Sequence, residues 1–296
     1  MDSNEVVNAF QNDSLGSDDA VGIADKIKKG ELSASLVTQD AIERAKAVNP
    51  KLNAITVENF DLAQTNSEKP FSGFFQGVPT FIKDTDEVPG LPLYLGSRSL
   101  PGEPSDKYSK AAKQIIDTGL NCLGTTTTPE FGLTGTTESL RFGATCNPWN
   151  TAYSTGGSSG GSSALVASGV IPIAHANDGA GSIRIPASCC GLVGLKASRG
   201  RIKDKEVPSY LPANILHDGV VTRSVRDTWA FHAEIEKNIP ATEFPPIGDI
   251  SESFPKNLKI AVLTENCLGE DSSAELVQAT HDVARLCLLY TSPSPR

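Results

Sequence analysis

Residues 154–169 read STGGSSGGSSALVASG, with four glycines and five serines ahead of the small apolar run ALVA. Bare backbone in that amount costs conformational entropy wherever it is ordered. The stretch is therefore either a flexible connector or a device that needs both the room and the hydroxyls. Its surroundings favour the device. From Thr125 to Ser163 the chain is rich in Thr, Gly and Ser, and an irregular stretch of that length inside a compact domain belongs to a functional loop or a disordered one. Ser162 to Gly169 reads as the start of a small-residue helix, Val170 to Ala174 as a short apolar strand and Cys190 to Leu195 as another, so regular structure encloses the loop.

Two known uses of such glycines fail on their own terms. A phosphate-binding loop needs a lysine after its last glycine, and Ser162 stands where that charge should be. A nucleophile elbow, GxSxG, occurs formally around Ser158 and again around Ser159. An elbow needs an apolar strand directly before it, however, and NPWNTAYST reads as a loop. Downstream lies a second unusual segment, NDGAGSIRIP. There Gly179, Ala180, Gly181 and Ser182 offer successive N–H groups with little side-chain bulk, the makings of an anion-binding nest. A donor aimed at a developing oxyanion is worth about 3 kcal/mol of barrier, so such a nest suits acyl transfer.

The rest of the chain supplies a scaffold. Ser17 or Asp18 is expected to cap a first helix ending at Gly30. Ser33 or Ser35 should start a second that stops at Asn49-Pro50, with AITV (Ala54 to Val57) as a strand after it. A polar linker, Asn66 to Pro70, leads to a buried strand from Val78 that ends at Lys83. Ala111 to Thr118 then reads as helix and Leu120 to Gly124 as strand. This alternation predicts an α/β sheet. A formal charge of −9 argues against nucleic acid, which needs clustered Lys and Arg. No window approaches the ~18 apolar residues of a membrane span, and MDSNEVVNAFQNDS lacks the features of a signal peptide, so a cytoplasmic location is expected. The six cysteines show no CxxC pair and the four histidines no HExxH, so neither a metal nor another cofactor is expected.

At this point the residues match a family. GGSSGGSSALVASGVIPIAHANDGAGSIRIP, Gly156 to Pro186, resembles the amidase signature family at its paired glycines, two serines, Asp178, Ser182, Arg184 and Pro186. The resemblance continues through GVPTFIKDT and FGATCNPWN upstream and CGLVGLKASRGRI and GVVTRSVRD downstream, covering most of Gly77 to Asp227. It implies an α/β amidase signature fold, a mixed central sheet flanked by helices. This would form a single domain over 1–286, with a helical segment 1–70, a signature core 77–227 and an unstructured tail 287–296. It also implies a Ser–cis-Ser–Lys hydrolase with Ser182 as nucleophile, Ser158 as the bridging serine after a cis peptide bond, and Lys83 as the base. Gly179, Ala180 and Gly181 would hold the oxyanion, Gly132 would line the substrate pocket, and Asp178 and Arg184 would form an ion pair that orders the oxyanion loop. The implied partner is a small amide; a homodimer is compatible with it, and neither nucleic acid nor a membrane is called for. Relay through a neutral lysine requires about 4 to 5 kcal/mol of bias against the ammonium, which burial and dipoles can supply.

Two departures stand out. Ala180 replaces the first of two glycines usual before the nucleophile. The run AHANDGAGSIRIPAS is most similar to the branch that hydrolyses cyclic amides such as the 6-aminohexanoate cyclic dimer, rather than the tRNA-linked amidotransferase branch. Family members also continue beyond 296 residues, and the ending LCLLYTSPSPR suggests a truncated chain. A non-catalytic fragment therefore stays open as an alternative, as does an α/β-hydrolase-type esterase using a GxSxG serine with His217. Ser159, Ser162 and Ser163 are expected to cap the following helix, His175 has no assigned role, and Cys189 and Cys190 are expected to be core thiols.

Overall fold

The computed structural model describes residues 4–198, 200–202, 215–237, 244–248, 259–265, 268–270 and 272–290. They fall in two units, Met1–Asp249 and Ile250–Arg296. In the first, helices α1 (Ala20–Lys28) and α2 (Ala34–Leu52) lead to strand β1 (Ile55–Glu58) and helix α3 (Phe60–Ser67). Strand β2 (Pro79–Lys83), helix α4 (Lys110–Ile116) and strand β3 (Asn121–Thr126) follow. Two small hairpins, β4 (Glu138–Ser139) with β5 (Gly143–Ala144) and β6 (Cys146–Asn147) with β7 (Asn150–Ser154), precede helix α5 (Gly160–Ala167). Strand β8 (Ile173–Asp178), helix α6 (Arg184–Cys189), strands β9 (Val193–Gly194) and β10 (His217–Thr222) and helix α7 (Val225–Glu236) complete the unit. In the second unit, α8 spans Ala274–Tyr290.

The sheets carry the site. β3 lies between β1, its antiparallel partner, and β2, its parallel one, giving the mixed pairing expected. β10 lies between β8 and β9, antiparallel to both. β2 and β8 run side by side, tied by the Thr80 hydroxyl on the Ile173 carbonyl (3.0 Å) and the Lys83 N–H on His175 Nδ1 (3.2 Å). All five residues of β2 are buried, because structure covers both faces, and the sequence accordingly reads as a mostly apolar run, PTFI, that ends at Lys83. No helix among the described residues is long and apolar enough to cross a membrane.

Several expected boundaries move, each for a local reason. Asp19, not Ser17 or Asp18, caps α1 by accepting the Gly22 N–H (2.9 Å), while Asp18 pairs with Lys26. Ser33 caps α2. That helix runs past Pro50 to Leu52, although the proline has no N–H to give it, and it closes at Asn53 in the left-handed region (φ 51°). α3 takes in the first part of the expected linker. NPWNTAYST is the β6–β7 hairpin rather than a loop, and its exposed Ala152 and Tyr153 leave it unlike the apolar strand of an elbow. The strand expected at Val170–Ala174 lies at Ile173–Asp178, and only Val193–Gly194 of the expected Cys190–Leu195 strand pairs. α8 extends four residues beyond Leu286 into the expected tail; residues 291–296 lie outside the described residues.

Candidate active site

The site begins at the end of β2. The chain folds back after Lys83, whose carbonyl accepts the N–H groups of Thr85 (2.7 Å) and Asp86 (3.2 Å). The lysine side chain is fully buried, and its Nζ lies 2.7 Å from Ser158 Oγ and 2.7 Å from Asn177 Oδ1. Taking a lysine out of water disfavours its charged form. The next residue, Asp84, turns away to accept the N–H groups of Tyr94 (2.9 Å) and Gly96 (3.1 Å), and its burial pushes the carboxyl up to about 6.

Ser158 sits in the segment between β7 and α5, after a cis Gly157–Ser158 peptide bond. The glycines around it answer mainly to space. A Cβ on Gly157 would stand 2.8 Å from the Thr136 backbone, one on Gly160 2.2 Å from Thr137 Oγ1, and one on Gly161 2.4 Å from Thr127 Oγ1. Only Gly156 of the four needs the left-handed region, at φ 70°. The other serines bridge rather than cap. Ser159 holds the N-cap position of α5 with no capping bond, and its hydroxyl faces the Asn177 backbone, donating to the carbonyl at 3.3 Å. Ser162 donates to the His175 carbonyl (2.6 Å) and pairs with Thr126 (2.8 Å), joining α5 to β8 and β3. Ser163 is buried as well.

Ser182 lies on the turn from β8 into α6, which Asp178 organises. Its carboxylate accepts the N–H groups of Gly181 (2.7 Å) and Ile183 (3.2 Å) and two bonds from the Arg184 guanidinium (2.9 and 3.0 Å). Burial alone would raise this carboxyl, but the Arg184 and backbone hydrogen bonds outweigh it and hold it down at about 2. The expected oxyanion set changes accordingly. The Gly181 N–H is committed to Asp178 and is withdrawn from the set. The N–H groups of Ala180 and Ser182 make no hydrogen bond to a described residue. Ser182, Ser158, Gly132, Gly179 and Ala180 line one cavity of about 480 Å³, walled by the apolar Leu95, Phe131, Leu133, Ile185, Ile215 and Leu216. Gly132, at φ 68°, brings its backbone so close that a Cβ would meet Ser158 Oγ at 3.4 Å. No hydrogen bond joins Ser158 to Ser182 among the described residues.

Two residues with no assigned role turn out to touch Lys83. His175 takes its backbone N–H, and Asn177, two positions along the same face of β8, takes an Nζ–H. Asp86, His175 and Asp218 bring potential metal-ligand atoms within 4.8 Å of one another. The Lys83 N–H on Nδ1 places the ring proton of His175 on Nε2, which faces Asp218 Oδ1 at 3.3 Å, an arrangement of a hydrogen-bonded pair rather than a ligand. His217 is buried on β10, and of the two elbow serines Ser158 is bonded to Lys83 and Ser159 to the Asn177 carbonyl instead. Of the paired cysteines, Cys190 is buried, with its thiol pushed up to about 12 by burial, whereas Cys189 is exposed rather than in the core.

Residues 36–288 match the amidase family model. A putative amidase, AmiC, of Mycobacterium leprae is 46% identical over 280 residues, which is 95% of this chain and 60% of that protein. The 6-aminohexanoate-cyclic-dimer hydrolase of Paenarthrobacter ureafaciens is 39% identical over 264 residues, 85% of this chain and 53% of that protein. The solved structure of a 6-aminohexanoate cyclic dimer hydrolase complexed with substrate superposes with a TM-score of 0.81 at 35% identity, covering 94% of this chain and 60% of that one. The chain thus spans about 60% or less of the length of these relatives.

Proposed function

The chain belongs to the amidase signature family, and from that premise we propose that it cleaves the carbon–nitrogen bond of small linear or cyclic amides by acyl transfer to Ser182. The observation that carries this reading is the 2.7 Å contact of a fully buried Lys83 Nζ with Ser158 Oγ, at the wall of a cavity that Ser182 also lines. A serine hydroxyl becomes a competent nucleophile only as its proton leaves. In the proposed cycle Ser182 passes its proton to Ser158 as Ser158 passes its own to neutral Lys83, and Ser182 Oγ bonds to the amide carbon. The carbonyl oxygen, now anionic, meets the N–H groups of Ala180 and Ser182, with Gly179 at the cavity wall. The proton returns through Ser158 to the amine, the C–N bond breaks, and water releases the acid from Ser182 by the same relay. Arg184 and Asp178 hold the turn that presents these amides.

The apolar walls favour a substrate whose acyl part is uncharged next to the scissile bond. Turnover of a panel of small linear and cyclic amides tests the proposal. Hydrolysis that is lost in Lys83→Ala and Ser182→Ala and kept in His217→Ala supports it. Hydrolysis that survives Lys83→Ala contradicts it, and no hydrolysis of any amide favours a fragment that binds without reacting.

A further inference from the structure

Asn177 makes a directed chain of hydrogen bonds with Lys83 at one end. The Thr85 hydroxyl donates to Asp86 Oδ2 (2.9 Å). Its oxygen therefore accepts from Asn177 Nδ2 (2.7 Å), and this fixes the amide with Oδ1 toward Lys83 Nζ (2.7 Å). An amide oxygen only accepts, so the lysine must spend an N–H on it. The Asn177 backbone is itself held by Ser159, the residue after Ser158, so the amide and the bridging serine are located by one another.

We propose that Asn177 is a positioning residue for the relay: it pins one Lys83 N–H so that the lone pair of the neutral amine faces Ser158, and, being uncharged, it does so without favouring the ammonium. This rests on the Lys83–Ser158–Ser182 reading above. The charged groups on the surrounding elements have hydrogen-bond partners of their own. Asp84 accepts the N–H groups of Tyr94 and Gly96, and Asp86 accepts the Thr85 and Ser109 hydroxyls. Asp218 faces His175 Nε2, His175 faces the Lys83 backbone, and Asp178 is bonded to Arg184. A carboxylate at position 177 would place a negative charge at hydrogen-bond distance from Nζ.

The test is the pH dependence of Ser182 labelling by a fluorophosphonate, followed by intact mass in the native chain and in Asn177→Asp and Asn177→Ala, with a melt of each to show that it folds. In Asn177→Asp the acid limb should move up by about one to three pH units, an opposite charge at hydrogen-bond distance acting on the lysine, with labelling recovered at alkaline pH. In Asn177→Ala labelling should slow by about tenfold at every pH without an upward move of the limb. A limb unmoved in a folded Asn177→Asp overturns the inference while leaving the proposed function standing. If that variant does not fold, an unchanged labelling rate in Asn177→Ala overturns it. A native chain that does not label at Ser182 overturns the proposed function, and this inference with it.

Discussion

Asp178 and Arg184 meet through two hydrogen bonds of 2.9 and 3.0 Å, and the same carboxylate accepts the N–H groups of Gly181 and Ile183 on the turn that carries Ser182. Because these bonds hold the carboxyl at about 2, below its ordinary value, its contribution to stability is present above about pH 4 and is lost as the pH falls toward 2. Asp178→Asn should lower stability at pH 7 by on the order of 2 kcal/mol and flatten the loss between pH 4 and 2. Thermal melts across that range check both; a variant that melts like the native chain at pH 7 would show that the turn orders itself without the carboxylate.

A second pH response comes from beside that turn, where His217 of β10 is the register partner of Asp178. His217 and His232 lie with ring centroids 6.3 Å apart, and burial pushes both down to about 4, with further lowering from Lys196 on His217 and from His217 itself on His232. A histidine held neutral in the fold contributes stability that is full above about pH 6.5 and lost as the pH falls toward 4. His232→Phe should therefore lose less of its melting temperature than the native chain between pH 7 and 5. Parallel melting curves would contradict the assignment.

Gly132 tests the wall of the cavity. Alanine there must adopt φ 68° and place its Cβ 3.4 Å from Ser158 Oγ. Its backbone is on the rim rather than in the core, so Gly132→Ala should slow amide turnover by about tenfold or more while costing about 1 kcal/mol of stability. Unaltered kinetics would remove Gly132 from the site.

Gly160 tests a different cause of glycine. At 2.2 Å from Thr137 Oγ1 there is no room for a methyl group, so Gly160→Ala should destabilise the fold by about 1 to 3 kcal/mol, read by denaturant titration.

These cases mark where reading the chain works and where it stops. β2 ending at Lys83 was legible because a strand buried on both faces leaves a mostly apolar run, and Lys83 ends it. Ser158 and Ser182 were legible through the long motif that holds them. The glycines of GGSSGG were legible as special, but not the neighbours that require them: most are excluded-volume positions set by Thr127, Thr136 and Thr137, and such contacts exist only once the chain is folded. Asn177 and His175 stayed silent because their bonds to Lys83 join residues more than ninety positions apart, where no local periodicity reaches. Ser159 holds the N-cap position of α5 and Ser162 lies in its first turn, yet the hydroxyls of both reach the backbone of β8 instead of capping the helix. Gly181 looked like an oxyanion donor by position, and only the folded turn assigns its N–H to Asp178.

The most direct test of the central claim is intact-mass labelling of the 296-residue chain with a fluorophosphonate, followed by peptide mapping. The account predicts one adduct, on Ser182, that disappears in Lys83→Ala. An adduct on Ser158 or Ser159, or labelling that persists without Lys83, would contradict it.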